Sequence, residues 1–239
     1  MLNLKRFGEL YRRFPFTTAT RFAICEGVRA LFDPLRLPTY AHCGEDILLK
    51  SYTDGRKPGY YVDVGCNHPF RGSNTALLYS RGWSGVVIDG NESLIQEFRR
   101  QRPFDRAICA LISDTEQDVK FSIAMDDALS TFDPAREQGI DGYVASVVPM
   151  RTQRLQTIFE REAVPKRFDL LSVDVEGHDY QALTSFDLNV YRPRIVIAEI
   201  LEFDLSRPLE FPTYRYLIEN GYVLKSYAAI SGVFVDSRE

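Results

Sequence analysis

The sequence predicts an α/β domain built on a doubly wound, mostly parallel sheet, and three observations carry that expectation. Apolar runs of four to eight residues, each closed by turn formers, recur along the chain, as strands covered on both faces do. Helical stretches alternate with these runs, and the alternation argues for right-handed crossovers between parallel strands. Size is the third: 239 residues with 45% hydrophobic content suffice for one large core. Residues 41–239 are therefore read as a single domain, and residues 1–40 as a helical extension.

The extension begins with Leu2, Phe7, Leu10, Tyr11 and Phe14 at helical spacing, with Lys5, Arg6, Arg12 and Arg13 around the other side. A second helix spans about Thr18 to Phe32 and ends before Asp33-Pro34 and Leu37-Pro38. Gly44 to Leu49 reads as a short helix, and the loop Gly55 to Gly59 leads into a strand at Tyr60 to Val64. The turn Gly65-Cys66-Asn67-His68-Pro69 follows, then a helix from Ser73 or Asn74 as N-cap to Gly82 as C′ residue. Gly85 to Asp89 repeats the strand pattern, Glu92 to Gln101 is a helix, and Ala107 to Ile112 is a further strand. Val119 to Ala124 alternates as a strand does, and Asp126 to Asp141 is polar and irregular, the kind of insertion that carries substrate loops. Val144 to Arg151 reads as strand and Thr152 to Ala163 as helix. Phe168 to His178 reads as a strand ending in acids, and helix Tyr180 to Thr184 and strand Arg194 to Ile200 complete the alternation. Helix Thr213 to Asn220 then leads into a hairpin of Tyr222 to Tyr227 and Val233 to Asp236, with Ile230-Ser231-Gly232 between them.

Asp63, Asp89, Asp174 and Glu199 stand at the ends of four strands, and ligands of open α/β sheets bind at that edge. A row of carboxylates there suits something cationic or rich in hydroxyls. A dinucleotide would need the glycines of G-x-G-x-x-G for close approach of its pyrophosphate, but Gly65 stands alone among Cys66, Asn67, His68, Pro69 and Phe70. An adenosyl sulfonium, positively charged and without phosphate, fits better. Asp89 suits a ribose diol, with a helix cap as the plain alternative.

Gly44-Glu45-Asp46, Asp63-Val64-Gly65-Cys66-Asn67, Ser73-Asn74-Thr75, Gly82-Trp83, Asp174-Val175-Glu176-Gly177, Arg192-Pro193 and Glu199 occur in this order over about Gly44 to Val235. In order and spacing together the chain resembles the FkbM-type S-adenosylmethionine-dependent methyltransferases, of the class I Rossmann-like fold. Two positions depart from the family's habit: Cys66 stands where Ala is common, and Asp89 where Glu is common. The resemblance implies a seven-stranded sheet in the order 3-2-1-4-5-7-6, with the final hairpin supplying the antiparallel strand. It also implies S-adenosylmethionine as cofactor and O-methylation of a sugar, glycan or natural product. The cofactor is expected at Asp63, Gly65, Cys66, Asn67, Asn74, Thr75, Asp89, Gly90, Asn91, Ser113, Asp114 and Asp174. Methyl transfer to an alcohol is helped by a positioned base. Asp174 and Glu176 are two apart in an extended segment and face one side, with His178 just beyond. The base is His178 or Glu176, with Asp174 orienting substrate or cofactor. No metal is expected; a hard cation on Asp174, Glu176 and Glu199 is the alternative. Phe132 and Tyr143 are candidates for the acceptor pocket, and Trp83 is read as core. The competing functional class is a Rossmann-like binding module that has kept the fold without catalysis.

Charge separates the two parts of the chain. Residues 1–36 hold seven Lys/Arg against three acids, a net +4, which leaves −8 for the remainder of a chain whose total is −4. So acidic a body lacks the basic groove that a nucleic-acid backbone requires. The first helix could dock on an anionic membrane, but packing on the domain as a strap is the preferred reading. Four widely spaced cysteines without CxxC, together with no apolar run of spanning length and no apolar leader after Lys5 and Arg6, suggest a cytoplasmic protein.

Overall fold

A computed structural model describes residues 4–32, 39–125, 129–133, 136 and 142–238. Along the chain run α1 (Leu4–Arg13), α2 (Phe16–Phe32), α3 (Glu45–Thr53), β1 (Tyr60–Val64), α4 (Ala76–Tyr79), β2 (Ser84–Asp89), α5 (Glu92–Gln101), β3 (Arg106–Cys109) and β4 (Leu111–Ile112). There follow β5 (Asp118–Ala124), β6 (Val144–Gln153), α6 (Leu155–Arg161), β7 (Arg167–Val173), α7 (Asp179–Thr184), β8 (Arg192–Glu199), α8 (Pro212–Glu219), β9 (Tyr222–Ala228) and β10 (Ser231–Asp236). Seven strands form one sheet in the order β3-β2-β1-β7-β8-β10-β9. Numbered within that sheet alone, this is 3-2-1-4-5-7-6. Its first five strands pair in parallel, and β10 runs antiparallel to both its neighbours.

Strand geometry sends alternate side chains to opposite faces. Val62, Val64, Leu171, Val173, Val196 and Ala198 point to the layer that holds Leu155, Ile158 and Phe159 of α6 and Leu183 of α7. Tyr61, Val87, Leu170, Ile195 and Ile197 point the other way, onto Leu49, Leu78, Ile95, Phe98 and Trp83. Every residue of β8 is buried, as a central strand with both faces covered must be. Trp83 belongs to this core at 3% exposure.

The run expected as one strand from Ala107 to Ile112 is broken. Ala110 still donates its N–H to Asp89 O at 2.9 Å, but Leu111 and Ile112 leave the main sheet and pair with Thr152 and Gln153 of β6. With β5 they make a second sheet, β4-β6-β5. The helix expected from Thr152 begins at Leu155 instead. Thr152 is fully buried, and its hydroxyl donates to Thr115 O at 2.7 Å while its N–H reaches Gln117 O at 2.9 Å, which holds it in the strand. The Leu155 N–H is satisfied by Ser185 Oγ at 3.0 Å, a cap supplied from far along the chain. The helix after the β1 turn is a single turn, begun where Ser73 Oγ accepts from Ala76 N–H at 3.2 Å. The terminal hairpin is tighter than expected: only Ala229 and Ile230 lie between its strands, with Ala229 at φ +52°.

Beneath the β1 turn stands a polar pillar. Arg102 has no solvent exposure; its guanidinium donates to Asp105 (2.7 Å), Tyr61 Oη (2.6 Å), Thr75 Oγ1 (3.0 Å) and Pro69 O (3.3 Å). Asp105 also accepts from Gly85 N–H at 3.0 Å and from the Tyr61 hydroxyl at 2.8 Å. One buried cation thereby joins the end of α5, the middle of β1 and the loop before α4. Beside that loop α1 and α2 pack through Phe14, whose ring lies 5.2 Å from Phe22, 5.6 Å from Phe70 and 5.0 Å from Tyr79. Arg13 donates to Trp83 O and lies over the Tyr79 ring. Among the described residues no helix is long and apolar enough to cross a membrane. The predicted stop of the second helix at Asp33-Pro34 and Leu37-Pro38, and most of Asp126 to Asp141, fall outside the described residues.

Candidate active site

β1 ends in a turn that only glycine fits. Gly65 has φ +74°, and a Cβ there would overlap the carbonyl oxygen of Asp174, so the turns after β1 and β7 meet backbone to backbone. Gly65 N–H and Cys66 N–H both donate to Ile88 O, at 2.9 and 3.1 Å, which draws β2 to the same point. At the end of β2 the two oxygens of Asp89 accept separately, from Asn67 N–H at 3.0 Å and from Asn91 N–H at 2.8 Å. That carboxylate is held broadside to the cavity above it.

The cavity has a volume of about 270 Å³. Ala110, Leu111, Ile112, Phe121 and Phe132 give its lining an apolar part. Thr131 and Phe132 are carried there by a bridge between Ser122 and Thr131, with backbone bonds of 2.9 and 3.0 Å. Gly65, Asn67, His42, Asp174, Glu176 and Ile230 also line it. Asp89 and Gly90 lie on the wall as well.

Carboxylates crowd the ends of β7 and β8. Oxygens of Asp174, Glu176 and Glu199 all lie within 4.8 Å of one another, a spacing that a hard cation could bridge. The chain also brings a cation of its own: Arg136 bonds Glu176 and lies 3.3 Å from Glu199. Burial raises the Asp174 carboxyl well above the ordinary range, and the charges of Glu199, Asp179 and Glu176 raise it further. Asp179, buried and accepting from Val175 N–H at 3.3 Å, is raised to about 8 by burial and by Glu199. Glu199 is raised to about 7 by burial and Glu176, against the opposing pull of Arg136.

Of the residues expected at the site, Gly65, Asn67, Asp89, Gly90, Asp174 and Glu176 meet at the cavity. Asp63, Cys66, Asn74, Thr75 and Asn91 are buried beneath it and shape the loops. Thr75 Oγ1 donates to Asp63 at 2.6 Å, Asn74 Nδ2 donates to Ser172 Oγ at 3.1 Å, and Asn91 caps α5 by accepting from Ser93 N–H. Burial pushes the Cys66 thiol well up, as an inert packed sulfur requires.

His178, Ser113 and Asp114 gather behind the cavity wall. Glu176 at φ +52° and Gly177 at φ +96° turn the chain sharply after Asp174, and this swings His178 away to the start of α7. Its Nε2 is 3.1 Å from Ser113 Oγ, its ring lies 4.4 Å from that of Phe132, and its Nδ1 is buried without a partner among the described residues. Burial lowers its pKa and keeps the ring neutral. Ser113 Oγ reaches Asp114 at 3.3 Å. Tyr143 is 63% exposed and does not line the cavity, whereas Phe132 does. Sequence reasoning missed His42, two residues before Gly44-Glu45-Asp46, and Arg136, hidden in a polar stretch with no periodicity.

The family model described as methyltransferase FkbM domain matches residues 63–224. No curated protein matches the chain. Among solved structures, that of a TehB-like SAM-dependent methyltransferase from Corynebacterium glutamicum is similar at a TM-score of 0.41 and 12% identity. It covers 92% of this chain and 98% of that one, but the likeness is too slight to bear on fold or function.

Proposed function

The chain belongs to the FkbM methyltransferase family, and from that premise we propose that it methylates a hydroxyl oxygen of a sugar, glycan or polyhydroxylated natural product. The observation that carries this reading is a cavity lined by three carboxylates, Asp174, Glu176 and the clamped Asp89. The methyl donor is S-adenosylmethionine, which supplies an electrophilic methyl group on a positively charged sulfur. The residues fit it. Asp89 lines the cavity with its plane fixed by two backbone donors, as recognition of a ribose diol needs. Leu111, Ile112 and Phe121 offer a purine an apolar slot. Asp174 and Glu176 suit positive charge, and no Lys or Arg stands among the described residues that line the cavity to receive a pyrophosphate.

Glu176 is the base in this reading, because it lines the cavity beside Asp174. Asp174, beside Glu176 on the cavity wall, faces the sulfonium and orients donor and acceptor. His178 supports the wall through Ser113 and Phe132 instead of touching the acceptor. The cysteines are free thiols, which favours a reducing cytoplasm. A screen of sugar and polyketide acceptors with radiolabelled methyl donor tests the proposal. Glu176→Gln should lower turnover about 10²-fold or more with donor affinity nearly unchanged, and His178→Ala should lower it far less. Full activity in Glu176→Gln would sink the assignment of the base.

A further inference from the structure

His42 enters the cavity from a segment the fold has taken care to fix. Asp46, at the start of α3, accepts from the Thr39 hydroxyl at 2.7 Å and from Tyr40 N–H at 2.8 Å. Tyr40 O in turn accepts from Ser73 N–H at 2.9 Å. The stretch from Thr39 to Gly44 is thus tied at one side to α3 and at the other to the loop before α4. Gly72, at φ +66°, lies under the imidazole, and a Cβ there would overlap Nε2 of His42. The absence of a side chain at residue 72 gives the ring its seat.

Charge then assigns the ring a task. S-adenosylmethionine bears a sulfonium, an ammonium and a carboxylate. Asp89, Asp174 and Glu176 line the cavity and suit the two cations, but each repels the carboxylate. Among the described residues lining the cavity, His42 is the one side chain able to carry positive charge. The other two histidines are otherwise engaged: Nδ1 of His68 accepts from Phe70 N–H and Arg71 N–H, and His178 lies behind the wall on Ser113. Ser130 and Thr131 are tied into their own turn, through Ala124 N–H and Asp133 N–H.

We infer that His42 is a donor-binding residue whose imidazole receives the carboxylate of S-adenosylmethionine and so selects a donor that has one. The inference rests on the reading of the cavity as the donor site. Titration calorimetry on the full chain, with S-adenosylmethionine and with its decarboxylated analogue, tests it. His42→Ala should weaken S-adenosylmethionine by about tenfold to a hundredfold, the worth of a hydrogen bond to a charged group, and leave the analogue unchanged. His42→Gln keeps an N–H donor and should lose less. His42→Phe refills the space over Gly72 without a donor and should match His42→Ala, which guards against a mere packing defect. Equal weakening of both ligands by His42→Ala, or of neither, would overturn the inference. Failure of the unmodified chain to bind either ligand would instead overturn the assignment of the cavity as the donor site, before any variant is made.

Discussion

Replacing Arg102 by Met tests how the β1 turn is held. The substitution keeps much of the apolar stem but removes a fully buried guanidinium that bonds Asp105, Tyr61, Thr75 and Pro69. Asp105, also buried, is then left with a carboxylate facing no cation. Removing one member of a buried ion pair typically costs about 3–5 kcal/mol, a large part of the roughly 5–15 kcal/mol by which such a domain is stable. With a urea slope of about 3 kcal/mol/M, a loss of about 4 kcal/mol lowers the unfolding midpoint by about 1.3 M. The double variant Arg102→Met/Asp105→Asn discharges the orphaned acid and should recover much of that loss. Equilibrium urea unfolding followed by tryptophan fluorescence is a suitable assay, since Trp83 is in the core on the same side of the sheet. A shift below about 0.3 M in the single variant would refute the pillar as a source of stability. A double variant as unstable as the single one would show that the loss lies in packing, not in the unpaired charge.

Gly65→Ala forces a side chain into the left-handed region against the Asp174 carbonyl. It should cost about 1–2 kcal/mol for the backbone alone and more for the clash, and calorimetry should show donor binding lost; binding at normal affinity would contradict the backbone contact. Donor binding should release protons wherever Asp174 is protonated in the free protein, because a sulfonium beside it lowers a carboxyl that burial has raised. Titration enthalpies in phosphate and in Tris should therefore differ, and the difference should shrink in Asp174→Asn; buffer-independent enthalpies in the unmodified chain would rule this out. The Asp236 carboxyl is lowered chiefly by its hydrogen bond from Arg192, a pair of 2.6 Å with almost no exposure. Its folded pKa is depressed, so its stabilisation is present above about pH 4, the unfolded carboxylate value, and is lost as pH falls through the folded value. Asp236→Asn should flatten the acid limb of stability against pH, and an unchanged limb would discount the pair.

The main sheet was legible because its strands are covered on both faces, and an apolar run such as Arg194 to Ile200 admits few other readings. The residues that line the cavity were legible where a strand closes in a turn former or an acid, as at Gly65, Asp89 and Asp174. Elsewhere the deciding partner is distant. Nothing near Leu155 reveals that Ser185 caps its helix, and nothing in Ala107 to Ile112 reveals that β6 takes its last two residues. His178 follows two acids in sequence, but two successive left-handed residues, Glu176 and Gly177, turn the chain and set its ring against Ser113 and Phe132. Arg136 has no local signature; its meaning comes from Glu176 and Glu199, both remote in sequence.

The contact of Gly65 with the Asp174 carbonyl has a consequence for how this enzyme comes into being. The two residues are separated by β2, β3, all of the three-stranded sheet and, among the described residues, α4, α5 and α6, so their meeting closes a very long loop. Such closures are entropically dear and come late in folding. A nascent chain that has finished β1 and β2 already owns Asp89 and the turn around it, but the cavity lacks Asp174 and Glu176 until β7 inserts beside β1. The cavity is therefore a property of the completed sheet, and no fragment ending before β7 carries its full lining.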